Sequence, residues 1–199
     1  VGSNDVGSEI KKIVAGFHDK MCACEMGGKN ALIVLDDANL NIAVNAAIIS
    51  AFKTSGQRCT SASRLIVHEK VLSEFEKRFV ETAKRLRIGN PLDEDVFMGP
   101  VINQSATEKI ARYNDLAKKE GAKVLLDGGR LTSEHYKKGY FMSPFVYRME
   151  NNPMSRVLRE EVFGPHVAII PVKNIDEAIK MHNDTDYGLS CAVITEDFR

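Results

Sequence analysis

Residues 31–68 read ALIVLDDANLNIAVNAAIISAFKTSGQRCTSASRLIVH, and this stretch decides the fold. Ala31 to Leu35 is an apolar run stopped by Asp36 and Asp37. It is too short for a free-standing helix and reads as a buried strand. Leu40 to Lys53 continues at helical spacing, and Gly56 ends it. Arg64 to His68 returns to a short apolar run, a second strand. Strand, helix and strand in that order begin a layered arrangement in which the helix carries the chain back across a sheet.

The alternation extends outward in both directions. Val71 to Leu86 places Val71, Leu72, Phe75, Phe79, Val80, Ala83 and Leu86 on one face of an amphipathic helix. Gly89 to Pro100 holds two prolines and several acids and reads as a loop. Gln104 to Glu120 is helical, and Lys123 to Leu126 is a strand closed by Gly128 and Gly129. Residues 130 to 145 are polar with Gly and Pro and read as a surface loop. Val167 to Val172, Ile175 to His182 and Ser190 to Thr195 then repeat strand, helix, strand. Upstream, residues 4 to 19 read as a helix capped by Ser3, with Asp5 and Glu9 suited to its positive end. Its stripe of Val6, Ile10, Ile13, Val14 and Phe17 predicts a sheet beneath it. Cys22 and Cys24 fall two apart in a strand-like stretch, so both should pack to one side as small hydrophobes. The expected class is α/β, a three-layer, mainly parallel sheet with flanking helices.

Composition narrows the function classes. The 199 residues carry 27 Lys plus Arg against 27 Asp plus Glu, a formal net charge of zero. No charge excess draws the chain to nucleic acid or lipid, so small molecules are the expected partners. No run approaches the roughly 18 apolar residues of a membrane span. Residues 1 to 20 lack a basic segment leading into an apolar one, which makes the expected location cytoplasmic. Four cysteines, with no second pair to complete a zinc site beside Cys22 and Cys24, predict reduced thiols. Val1 lies inside a Gly/Ser turn and Arg199 closely follows an apolar run, so neither end reads as a natural domain boundary.

Three segments carry candidate chemistry. Gly56-Gln57-Arg58-Cys59-Thr60-Ser61 puts a cysteine just past a helix end, in a small polar loop. A thiol attacks carbonyl carbon as thiolate, and Arg58 is a candidate source of the positive charge that favours this form. From these residues alone, a buried small residue is the plainer reading of Cys59. Glu25-Met26-Gly27-Gly28-Lys29-Asn30 puts a carboxylate before two glycines. In a desolvated pocket that carboxylate could take a proton from water, and on the surface it would be a turn residue. His68 is a conceivable base for Cys59, as in thiol hydrolases, although it ends a strand beside Glu69. Gly2-Ser3-Asn4-Asp5-Val6-Gly7 leads into a helix start whose free N–H groups could hold a phosphate.

In order and spacing, from Gly2 to about Leu189, these segments resemble the aldehyde dehydrogenase superfamily. Glu25-Met26-Gly27-Gly28-Lys29 is similar to the family's glutamate motif. Gly56-Gln57-Arg58-Cys59 is similar to its cysteine motif, at the family's separation of 59 − 25 = 34 positions. Met98-Gly99-Pro100, Glu160-Glu161-Val162-Phe163-Gly164-Pro165, and Asn183 followed by Tyr187-Gly188-Leu189 also look like family signatures. The wording around Glu25 and Cys59 looks most like branches that oxidise semialdehydes, including ketoglutarate semialdehyde.

The resemblance implies a mechanism with NAD or NADP. Cys59 would attack an aldehyde, with its own backbone N–H helping to hold the oxyanion, and hydride would leave to the nicotinamide. Glu25 would then activate water to hydrolyse the thioester. It also implies that Glu161 binds the nicotinamide ribose hydroxyls, that Phe163 packs beside the nicotinamide, and that Gly2, Ser3 and Gly7 form the turn near the pyrophosphate. Residues 1–24 would end a Rossmann-like dinucleotide-binding domain, and 25–199 would belong to the catalytic domain. The resemblance places the first cofactor-domain strands and an oxyanion-hole asparagine upstream of Val1. It places the tail that pairs subunits, as a homodimer or homotetramer, beyond Arg199. Exposed apolar faces are therefore expected. A relative that passes the acyl group to coenzyme A would generally lack a carboxylate at Glu25. A Cys59/His68 hydrolase and a non-enzymatic fragment are the readings from other classes.

Overall fold

The computed structural model describes residues 1–197. Its six strands are β1 (Asn30–Val34), β2 (Ala62–His68), β3 (Lys123–Leu126), β4 (Phe145–Arg148), β5 (His166–Val172) and β6 (Cys191–Ile194). They form one sheet in the order β3-β4-β5-β2-β1-β6. Every neighbouring pair is parallel except β3 with β4, so the mainly parallel α/β expectation holds. The helices are α1 (Asn4–Val14), α2 (Leu40–Phe52), α3 (Glu69–Lys84), α4 (Gln104–Lys119), α5 (Arg156–Arg159) and α6 (Ile175–Asn183).

Alternating side chains of the central strands enter two different cores. Leu32 and Val34 of β1, Leu65 and Val67 of β2, and Val167 and Ile169 of β5 face α2 and α3, where Phe52, Phe75 and Phe79 stack in series. Ala31, Ile33, Ile66, Ala168 and Ile170 point the other way, with Ala117 of α4, Leu158 of α5, and Ala178 and Met181 of α6. Burial on both faces explains why these strands read as unbroken apolar runs and not as alternations. Three of the helices begin at an asparagine side-chain cap. Asn39 accepts from Asn41 and Ile42 at α2, Asn103 from Ala106 at α4, and Asn174 from Glu177 at α6.

Four expectations need correction. The first helix stops at Val14 and not at residue 19, and no strand lies under it among the described residues. Val6, Ile10, Ile13 and Phe17 stay between 45% and 63% exposed. Its close packing runs through Gly7, where an added Cβ would strike the Met26 side chain. Residues 20–29 form no strand, so Cys22 and Cys24 lie on irregular backbone. The 130–145 loop is not wholly superficial, because Phe141, Met142 and Phe145 are buried. That loop delivers β4, a strand masked by the polar, Gly- and Pro-bearing residues before it. The last two positions of the expected 25–199 domain lie outside the described residues.

Candidate active site

The segments singled out in the sequence converge at one end of the sheet. Glu25 to Lys29 enters β1, Cys59 to Ser61 enters β2, and Glu160 to Pro165 enters β5. All three are amino ends of parallel strands. Ligands of open α/β sheets generally sit at the carboxyl ends, so this site is built by the loops that feed the strands. Among the residues lining a cleft of about 640 Å³ there are Gly2, Ser3, Glu25, Cys59, Glu161 and Phe163, with Gly27, Arg58 and Lys109. Gly7 is not on that wall. It is buried one turn into α1, against Met26 and Cys24.

The turn that presents Cys59 is backbone-strained. Thr54, Ser55 and Gly56 have φ of 54°, 58° and 66°, three consecutive residues in the left-handed region that side chains disfavour. Ser55 donates to the Gly99 carbonyl at 2.8 Å, which offsets part of that cost. Beyond the turn, Asn30 fastens the loop. Its Nδ2 donates to the carbonyls of Cys59 (2.6 Å) and Ser61 (3.0 Å), and its Oδ1 accepts from the Ser190 N–H (3.1 Å). Both donors and one acceptor site of a buried amide thus join β1, the cysteine loop and the approach to β6. Cys59 itself is exposed. Its loop is fixed by neighbours while its thiol stays accessible.

Glu161 reaches across 133 positions to accept the Gly28 N–H at 2.9 Å. Its carboxylate lies where a Cβ on Gly27 would have to go. At Gly28 an added Cβ would come within 2.6 Å of the Cys59 carbonyl. The two glycines therefore let three loops meet with no side chain between them. The Glu25 carbonyl accepts the Gly2 N–H at 3.0 Å, tying the glutamate segment to the start of α1. Phe163 has φ of 63°, so the aromatic residue on the cleft wall is also held in a disfavoured conformation.

Two further residues of the sequence reading have defined partners. Arg58 donates to the carbonyls of Ile49 and Ser50 near the end of α2, which orients its guanidinium while the residue still lines the cleft with Cys59. His68 stands at the carboxyl end of β2, seven residues of strand from the cysteine loop, or about 20 Å of extended chain. There its Nδ1 accepts the Lys70 N–H as the cap of α3. A Cys59/His68 pair is therefore ruled out.

The sequence reading missed a buried polar floor. Arg64 donates to the carbonyls of Lys29, Met181 and His182 at 2.9, 2.9 and 3.0 Å, locking β2 to the entrance of β1 and the end of α6. Lys29 is 1% exposed, and its Nζ has no hydrogen-bond partner among the described residues. Burial, reinforced by the charge of Arg64, lowers its pKa to about 7, against the pull of Glu161 and Glu160. Glu160 is occupied by Tyr113 and by Arg156. His166 is buried, its Nδ1 2.8 Å from Asn114 Oδ1 and its Nε2 3.2 Å from the Tyr147 hydroxyl. Desolvation, then the charge of Lys29, hold it well below the usual histidine range.

Among the described residues no three metal-ligating side chains gather, and no helix is long and apolar enough to cross a membrane. The family model described as "Aldehyde dehydrogenase family" matches residues 1–199. The chain is 38% identical over 196 residues to the alpha-ketoglutaric semialdehyde dehydrogenase of Bacillus subtilis, covering 98% of this chain and 40% of that protein. It is 41% identical over 201 residues to a 1-pyrroline-5-carboxylate dehydrogenase of a Geobacillus species, covering 98% and 38%. In structure it is similar to the betaine aldehyde dehydrogenase of Staphylococcus aureus crystallised with NAD+, with a TM-score of 0.93, 36% identity, and coverage of 98% and 38%. The chain thus spans about two fifths of the length of the relatives it matches.

Proposed function

The chain belongs to the aldehyde dehydrogenase family, and from that premise we propose that it is the thiol-bearing part of an enzyme that oxidises an aldehyde or semialdehyde to the carboxylic acid with NAD+ or NADP+. The observation that carries the reading is the single cleft shared by the Cys59 thiol, Glu25 and the Gly28-bound carboxylate of Glu161. Cys59 is the nucleophile. Its attack forms a thiohemiacetal, and the backbone N–H groups of its anchored loop are the local donors for the developing oxyanion. Glu25 takes the proton from the water that hydrolyses the later thioester.

The residues fit a dinucleotide. Glu161 has acceptor capacity left after the Gly28 bond and would hold the nicotinamide ribose hydroxyls, with Phe163 beside the ring. Gly2 and Ser3, at the start of α1, would lie near the pyrophosphate, and Gly7 would hold that helix close behind them. When bound, the cofactor supplies the hydride acceptor. Residues 1–24 are assigned to the end of the cofactor-binding domain and 25–199 to the catalytic domain. The exposed stripe of α1 supports this division, since it is shaped to be covered by the rest of such a domain. Homodimeric or homotetrameric assembly belongs to the same reading of the whole enzyme.

The test is rapid mixing of the whole enzyme with cofactor and a short semialdehyde while following NADH absorbance. Glu25→Gln should keep a burst of about one NADH per site and slow later turnover by roughly a hundredfold or more. Cys59→Ser should lose both phases. Loss of the burst in Glu25→Gln would remove Glu25 from the hydrolytic role.

A further inference from the structure

Two thiols lie outside the chemistry assigned above. Cys22 and Cys24 flank Ala23 on irregular backbone between α1 and β1, half-buried, with their sulfurs 3.3 Å apart. Cys24 also donates to the Gly7 carbonyl at 3.8 Å, on the helix whose start borders the cleft. The next residue is Glu25, whose carbonyl accepts from Gly2. The pair is therefore wedged between the first turns of α1 and the proposed base. The hydrogen bond with Cys24 is the leading cause that pushes the Cys22 thiol up.

We propose that Cys22 and Cys24 are a modification site, closing to a reversible intrachain disulfide with a small-molecule disulfide as oxidant and thereby displacing Glu25. The effect on turnover rests on the reading of Glu25 as base. One thiolate attacks a sulfur of the external disulfide, forming a mixed disulfide and releasing one small thiolate. The second protein thiolate attacks the bonded protein sulfur and expels the other. The dithiol loses two electrons, the external disulfide gains them, and the two S–H protons leave with the two small thiols. The bond length of a disulfide is about 2.05 Å, so the sulfurs must close by a little over 1 Å. No strand ladder holds this segment in place. Closure also removes the S–H donor from the Gly7 carbonyl, loosening the contact between Cys24 and α1. Cys59 and Cys191 are exposed and make no sulfur–sulfur contact like that of this pair among the described residues, so each forms only a mixed adduct.

The experiment treats the whole enzyme with glutathione disulfide, blocks free thiols with iodoacetamide and digests with trypsin. Cleavage after Lys20 and Lys29 places both cysteines in the peptide Met21–Lys29, apart from Cys59. The expected result is that peptide about 2 Da lighter than the free dithiol and unalkylated. Turnover should fall roughly tenfold to a hundredfold, the scale of an ångström-level misplacement of a catalytic group, and return with dithiothreitol. Cys22→Ser should keep its basal turnover and lose both the lighter peptide and the part of the inhibition that does not come from Cys59. Free thiols or separate glutathione adducts on Met21–Lys29 would overturn the proposal. So would equal inhibition of Cys22→Ser, or a disulfide that leaves turnover unchanged. If Glu25 is not the base, Glu25→Gln turns over normally without any oxidant, a failure visible apart from the peptide.

Discussion

Replacing Lys29 by Met should stabilise the protein, by an amount that depends on pH in a defined way. The side chain is buried, its Nζ is unpartnered, and burial takes its pKa from 10.5 to about 7. Above pH 10.5 the amine is neutral in the folded and unfolded states, and the depression costs nothing. As the pH falls from 10.5 toward 7, only the unfolded chain gains the proton, so stability drops by about 1.4 kcal/mol per unit. Below 7 the whole penalty applies, on the order of 5 kcal/mol as an upper limit and a few kcal/mol after local relaxation. Met has nearly the same length and no charge to desolvate, so it removes the penalty without opening a cavity. Urea denaturation of both proteins at pH 6, 8 and 10 reads the difference, with other titrating groups common to both. Lys29→Met should be the more stable at pH 6, by a margin that closes as the pH rises to 10. Parallel profiles would mean that Lys29 carries no desolvation penalty in the fold. A less stable variant at pH 6 would show that attraction to Glu160 and Glu161 outweighs desolvation.

Three further outcomes follow from the same floor and loops. Asn30→Ala leaves two carbonyls and the Ser190 N–H without their partner, and should cost about 2–4 kcal/mol in thermal or urea denaturation, with slower alkylation of Cys59 by limiting iodoacetamide. Gly28→Ala places a methyl 2.6 Å from the Cys59 carbonyl, and should cut turnover by roughly a hundredfold while far-ultraviolet circular dichroism stays unchanged. His166 stays neutral in the fold while an unfolded imidazole protonates below 6.5. Stability should therefore fall as the pH drops from 6.5 to 5, by up to about 1.4 kcal/mol per unit, and His166→Gln should flatten that fall.

The core of the fold was legible because β1, β2 and β5 are buried on both faces and so appear as uninterrupted apolar runs beside capped helices. β3 was legible as Lys123–Leu126, but its antiparallel partner β4 was not, since Phe145–Arg148 directly follows a segment rich in polar side chains. The end of α1 was misplaced because Ile13 and Phe17 extend a helical stripe past Val14, and spacing cannot show that the stripe lacks a sheet beneath it. At the site, the motifs pointed to Glu25 and Cys59, and both line the one cleft. What they could not reveal is which loop faces which: that Asn30 binds the cysteine loop, that Glu161 reaches Gly28, or that the Arg58 guanidinium turns to α2. Each of these contacts depends on strand order across the sheet and not on local pattern. Lys29 belongs with them, because a lysine between a glycine pair and a strand carries no local sign of burial.

The most direct measurement of the central claim is mass mapping of Glu25→Gln after exposure to cofactor and aldehyde, with an acid quench. Trypsin cuts after Arg58 and Arg64 and isolates Cys59 on a six-residue peptide. The expected product is an acyl group on that peptide, dependent on cofactor and absent from Cys59→Ser. An acyl group on Cys22, Cys24 or Cys191 instead, or normal turnover with Cys59 replaced, would contradict it.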